Sequence, residues 1–118
     1  VAAGSEDWEP YSPARLAELR DAQRPVFVNV TADWCITCLA NERVALGTDA
    51  VRSAFRNTGV TYLKGDWTNN DPQITALLNK FQRSGVPLYL AYPAGSGDPE
   101  VLPQILTENI VLSAISIQ

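Results

Sequence analysis

The run Pro25-Val26-Phe27-Val28-Asn29-Val30-Thr31 places apolar side chains on both faces of a strand. A segment with no solvent side specifies a central strand that is covered above and below. It leads almost directly into Cys35-Ile36-Thr37-Cys38, which contains both cysteines of the chain. A strand that delivers a Cys-x-x-Cys to the mouth of a helix suits dithiol–disulfide exchange. The first helical turn leaves backbone N–H groups without intrahelical partners, and the helix dipole adds partial positive charge there. Both favour a thiolate at Cys35, the reactive species in thiol exchange.

The other chemistries that two cysteines could serve are narrowed by what the chain lacks. It has no histidine, which removes a Cys–His protease, a Ser–His–Asp hydrolase and any zinc site that uses histidine. A structural zinc would need two further ligands, and only carboxylates could join the thiolates. Neither a metal nor a cofactor is expected. Two inert buried cysteines are the alternative, but the strand-then-helix setting favours a redox pair. A net charge of −4, with nine scattered basic residues, argues against nucleic acid and gives no reason to bind an anionic membrane surface. No apolar run approaches the roughly 18 residues of a membrane-spanning helix, and no signal segment opens the chain. The start at Val1 rather than Met reads as a fragment or a processed product.

With 118 residues, 46% of them hydrophobic, the chain is sized for one domain. Residues 1–10 read as an irregular N-terminal arm with Trp8 docked on the body, and 11–118 as the domain. Ser12-Pro13 is a cap followed by proline at the first helical position, opening a helix to about Ala22 with Leu16 and Leu19 facing the core. After the cysteines, a helix continues through Leu46 and stops at Gly47. Thr48 or Asp49 caps a short helix carrying Val51, Ala54 and Phe55, closed by Gly59. Val60 to Leu63 reads as the next strand, and Asp66 to Asn70 as a polar loop. Asp71-Pro72 repeats the cap-then-proline signal for a helix with Ile74, Leu77, Leu78 and Phe81 on one stripe, ended by Gly85. Pro87 to Tyr92 and Glu100 to Leu102 form a hairpin around a Gly/Pro-rich turn. Thr107-Glu108-Asn109 caps a last helix with Ile110, Val111, Ala114 and Ile115 on its apolar side. From the central strand on, the order is β-α-(α)-β-α-β-β-α, an α/β domain with a mixed sheet and helices on both faces.

Ala32-Asp33-Trp34-Cys35-Ile36-Thr37-Cys38 and Gly85-Val86-Pro87 together resemble the thioredoxin fold. With Gly65-Asp66-Trp67-Thr68, Tyr92-Pro93 and Leu102-Pro103, the resemblance narrows to the C-terminal periplasmic domain of the DsbD family. It covers about Trp8 to the C-terminus. The resemblance implies that Cys35 and Cys38 form a redox-active disulfide, with Cys35 the exposed nucleophile and Cys38 the shielded residue that resolves the mixed disulfide. Trp34 would form the rim of the site. Val86 and a cis Pro87 would face the cysteines and pair with an incoming peptide as a short added strand. The family carries a buried acid six residues before the nucleophile, where this chain has Asn29. An amide cannot take up a proton in this range, so Glu42, which matches a family glutamate, is the candidate proton acceptor. Glu42 shares a helical face with both cysteines by its spacing, although a solvated surface glutamate reads equally well. Asp33 would shape the rim, its charge opposing thiolate formation.

The implied activity is protein-disulfide reduction. Electrons would pass from a membrane-embedded domain of the same protein to a periplasmic disulfide-containing client, such as a DsbD-type N-terminal domain, with the chain monomeric and in the periplasm. A general cytosolic thioredoxin is one alternative, and a redox-inert peptide-binding module is another. An oxidase or isomerase is a third, since Ile36-Thr37 leave the redox direction open.

Overall fold

The computed structural model of the chain describes residues 8–95 and 97–116. Residues 1–7, most of the expected irregular arm, lie outside the described residues. Glu9–Pro10, assigned to that arm from sequence, instead form a short edge strand, β1. The remaining elements are α1 (Pro13–Asp21), β2 (Val26–Thr31), α2 (Ile36–Asn41), α3 (Asp49–Thr58), β3 (Thr61–Asp66), α4 (Pro72–Lys80), β4 (Leu88–Tyr92), β5 (Glu100–Val101) and α5 (Glu108–Ser116). The strands form one sheet in the order β1-β3-β2-β4-β5. The β1–β3 and β2–β3 pairs are parallel, while β2–β4 and β4–β5 are antiparallel, so the sheet is mixed as expected.

Every residue of β2 is buried. Val26, Val28 and Val30 meet Leu63, Leu88 and Leu90 under α1 and α4, which contribute Leu19, Ile74, Leu77 and Leu78. On the opposite face Phe27, Tyr62 and Tyr89 pack against Val51 and Phe55 of α3 and Val111 and Ile115 of α5. The Phe27 ring lies within 6.4 Å, centroid to centroid, of those of Phe55, Tyr62 and Tyr89, and Phe55 stacks on Tyr62 at 4.9 Å. Burying one such side chain stabilises the fold by about 1.5–3 kcal/mol relative to exposing it.

The caps fall where the sequence places them. Ser12, Thr48, Asp71 and Thr107 each accept a backbone N–H of the first turn that follows. Gly59 ends α3 with φ 74, a left-handed conformation that costs glycine nothing. Three further elements differ from expectation. β3 runs on to Asp66, because its parallel register follows β2 as far as Thr31. α4 stops at Lys80 rather than near Gly85. Gln82 turns left-handed at φ 61, and the Arg83 N–H returns to the Leu78 carbonyl. The helix carrying the cysteines widens after Asn41 into a π-helical turn, Glu42–Leu46. Gly47 closes that turn by donating its N–H to the Glu42 carbonyl at 2.6 Å, and a Cβ at Gly47 would stand 2.6 Å from the same oxygen.

Candidate functional site

β2 ends at Thr31, and Ala32 to Trp34 carry the chain across the end of the sheet into α2. Cys35 is the N-cap of α2, its backbone extended and its sulfur accepting the Cys38 N–H at 3.1 Å. A thiolate at Cys35 would keep that acceptor role with a full charge, which makes the bond stronger. Cys35 and Cys38 are joined as a disulfide, with Cα atoms 5.2 Å apart. Cys35 is 8% exposed and Cys38 is fully buried, so of the two residues only Cys35 reaches the surface.

Val86 packs on the cluster of Ala32, Cys35 and Cys38, and the Val86–Pro87 bond is cis, as its motif implies. Trp34 is 56% exposed beside Cys35. Its ring lies 5.9 Å from that of Trp67, and its Nε1–H donates to the Thr68 carbonyl. Trp67 is itself held by donating to Thr75 Oγ1 at 2.8 Å, and Thr68 Oγ1 accepts the Asp33 N–H. The loop after β3 is therefore the pedestal that orients Trp34. Ile36, 82% exposed, and Leu39 extend an apolar surface around the disulfide.

Glu42 sits one turn past Cys38 and donates its backbone N–H to the Cys38 carbonyl. Its carboxylate pairs with Lys64 Nζ at 3.6 Å, both side chains about one-quarter exposed. Lys64 also lies 5.0 Å from the centre of the Trp8 ring, and Trp8 packs on the main aromatic core, as the docked tryptophan was expected to do. Glu42, Lys64, Trp8, Asp33 and Leu39 line a cleft of about 460 Å³ that opens beside the active-site turn. The carboxylate is thus tied to Lys64 rather than free at the surface.

Asn41, which carried no signal in the sequence, is a buried staple. Its Nδ2 donates to Tyr89 Oη and to the Gln104 carbonyl, each at 2.8 Å, and its Oδ1 accepts the Leu106 N–H. Burial pushes the Tyr89 phenol up to about 12, with the Glu42 charge acting in the same direction and the Asn41 hydrogen bond opposing it. The folded value exceeds the ordinary value of about 10, so neutral Tyr89 adds no pH dependence below about pH 10. Stability is then lost as pH rises from about 10 to about 12. A loss on the order of 2 kcal/mol is expected across that window. Urea denaturation at pH 9 and pH 11.5 checks it, and an equally steep loss in Tyr89→Phe would place the effect elsewhere.

A thioredoxin fold with a Cys-x-x-Cys disulfide at the helix mouth defines a dithiol–disulfide exchange protein. A thioredoxin-like family model matches residues 7–94, and the chain belongs to that family. Within it, the chain is 34% identical over 85 residues to the thiol:disulfide interchange protein DsbD 1 of Pseudomonas aeruginosa, covering 72% of the chain and 14% of that protein. It is 35% identical over 81 residues to DsbD of Yersinia pestis, covering 68% of the chain and 13% of that protein. The chain therefore spans only about one-seventh of these relatives. The oxidised C-terminal domain of Neisseria meningitidis DsbD superposes with TM-score 0.70 at 22% identity, covering 90% of this chain and 94% of that one. A thioredoxin from Thermus thermophilus superposes at 0.67 with 18% identity, covering 93% and 84%. These two likenesses establish the fold. No helix among the described residues is long and apolar enough to cross a membrane.

Proposed function

We propose that the chain is the electron-delivering domain of a DsbD-like protein, acting in the reductase direction in the periplasm. The observation that carries this reading is the asymmetry of the disulfide: Cys35 meets the surface at a helix N-terminus, while Cys38 is sealed behind it. A membrane-embedded donor dithiol attacks the Cys35 sulfur and leaves the pair reduced. The Cys35 thiolate then attacks a client disulfide, and Cys38 displaces the client by attacking Cys35. Trp34, Val86 and Pro87 form the surface on which the client backbone rests, and the client is a periplasmic disulfide protein such as a DsbD-type N-terminal domain.

The test has two parts. The dithiol form should turn over insulin disulfides, which a redox-inert binding module would not do. Membranes carrying a DsbD-type transmembrane domain should reduce the oxidised chain, as followed by thiol alkylation. Insulin turnover without reduction by those membranes would leave a general thioredoxin.

Glu42 is the proposed proton acceptor for Cys38 during resolution. Glu42→Gln should slow decay of the mixed disulfide by a factor up to the roughly 10²–10⁴ that general acid–base catalysis reaches, with little change in folding stability. Rapid-quench alkylation between about pH 6 and 8 measures that decay. An unchanged rate would hand the proton to water.

A further inference from the structure

β2 and β3 are adjacent and parallel, and the chain leaves them in opposite directions. After β2 it turns through α2 toward the face covered by α3 and α5, whereas after β3 it turns through α4 toward the other face. Strands whose exits diverge in this way leave a crevice at their carboxyl ends, the usual place for a ligand in an α/β sheet. The cleft of about 460 Å³ beside the active-site turn is that crevice. Thr31 and Asp66, the last residues of β2 and β3, both line it, and so does Asp33, two residues before Cys35.

Two observations point to an occupant. Thr31 is 5% exposed, yet its hydroxyl has no hydrogen-bond partner among the described residues and is not sealed within the core. A nearly buried hydroxyl that opens only into a cleft is left for whatever enters it. The charges of the cleft are also unbalanced. Glu42 and Lys64 neutralise each other, but Asp33, Asp66 and Asp71 on the same walls have no basic partner among the described residues.

Asp66 and Asp71 are each fixed through one oxygen. Asp66 Oδ1 accepts the N–H and the hydroxyl of Thr68, and Asp71 Oδ1 accepts the Gln73 and Ile74 N–H groups. Oδ2 of each stays uncommitted among the described residues. A metal ion needs its ligands gathered on one point, and no cluster of described acidic or cysteine side chains does so. Acceptors spread over separate residues suit a guanidinium, whose five N–H donors fan out in one plane. Its methylene stem would lie on the apolar wall of Tyr11, Leu39 and Ile74.

We propose that the cleft is a subsite for an arginine side chain of the disulfide-bearing partner, bound by Thr31, Asp33, Asp66 and Asp71 while the partner's sulfur meets Cys35. The subsite rests on the reading that Cys35 exchanges with a partner disulfide. It adds a choice among partners, favouring those with arginine near the reactive cysteine.

A first measurement needs no exchange chemistry. Titration of the oxidised chain with N-acetylarginine amide, followed by backbone amide NMR, should shift the signals of Thr31, Asp33, Asp66 and Asp71. The neutral isostere N-acetylcitrulline amide should leave them in place. Equal shifts with both probes, or shifts scattered over other acidic surface, overturn the subsite. A second measurement mixes the reduced chain with peptides whose single cysteine is capped by thionitrobenzoate. Cys35 attacks the peptide sulfur, the capping disulfide breaks, a Cys35–peptide disulfide forms, and thionitrobenzoate leaves as a coloured thiolate. With arginine moved residue by residue along either side of the cysteine, at least one peptide should react about tenfold faster than its citrulline counterpart. Asp71→Asn keeps a helix cap and should cut that preference by up to about fivefold, the reach of one exposed ion pair. Thr31→Val should cut it further, and added salt should weaken it. A preference that survives both substitutions undiminished belongs to the net charge of the chain and overturns the subsite. Reaction with no preference at any position overturns it as well and leaves the proposed function standing. Specific arginine shifts in a chain that reacts with no peptide would sink the proposed function and spare the cleft.

Discussion

Replacing Cys38 with alanine is expected to turn the chain into a covalent trap. Cys35 can still attack: a client S–S bond breaks, a Cys35–client disulfide forms, and the client's other sulfur leaves as a thiolate. What disappears is the second attack, from a sulfur one helical turn away that is already bonded to Cys35 in the oxidised state. Oriented intramolecular groups reach effective concentrations of about 10⁵ M, so a millimolar external thiol is a poor substitute. Release should slow by at least about 10³-fold, and the complex should survive non-reducing electrophoresis. Cys35→Ala should form no such complex, because fully buried Cys38 has no route to a client. Equal trapping by the two variants would reverse the order of attack.

The second large effect is expected at Asn41 and concerns stability. Asn41→Ala removes three hydrogen bonds at once and leaves the Leu106 N–H, the Gln104 carbonyl and the Tyr89 hydroxyl without that partner. Each orphaned buried group costs about 1–3 kcal/mol, and partial hydration of the loop recovers some of that. A net loss of about 3–4 kcal/mol is expected, read as a lowered urea midpoint at an unchanged m-value. Asn57→Ala, at an exposed position on α3, should stay within about 0.5 kcal/mol and serves as the reference. A cost below about 1 kcal/mol at Asn41 would mean that the staple is redundant.

Asn41 also shows where reading the sequence ends. The central strand, the caps at Ser12, Thr48, Asp71 and Thr107, and the cysteine pair were legible because each signal is local: a period, a spacing or a side chain next to the N–H groups it satisfies. Asn41 bonds to residues 48, 63 and 65 positions away, and in the sequence it is one more polar residue in a helix. Lys64 was hidden for a related reason. Its pairing with Glu42 and its place on Trp8 depend on β3 continuing past Leu63, which the parallel register decides. The residues of the Trp34 pedestal were visible as a motif, but not as a support. The two-residue strand β1 is too short to show any alternation, and the π-helical turn leaves no local mark except Gly47. For Glu42 the spacing placed the residue on the helix that continues past Cys38, but nothing local in the sequence revealed its lysine partner.

The disulfide spans only three positions of sequence. A cross-link that closes so small a loop removes little freedom from the unfolded chain: about 2 kcal/mol on the chain-entropy model, against about 4.7 for a 100-residue loop. The two packed layers on either side of β2 hold the domain together, and neither of them includes a cysteine. Opening the bond therefore takes little from the fold. A carrier built in this way can be reduced and reoxidised indefinitely without passing through an unfolded chain, because its reactive bond is not one of its structural staples.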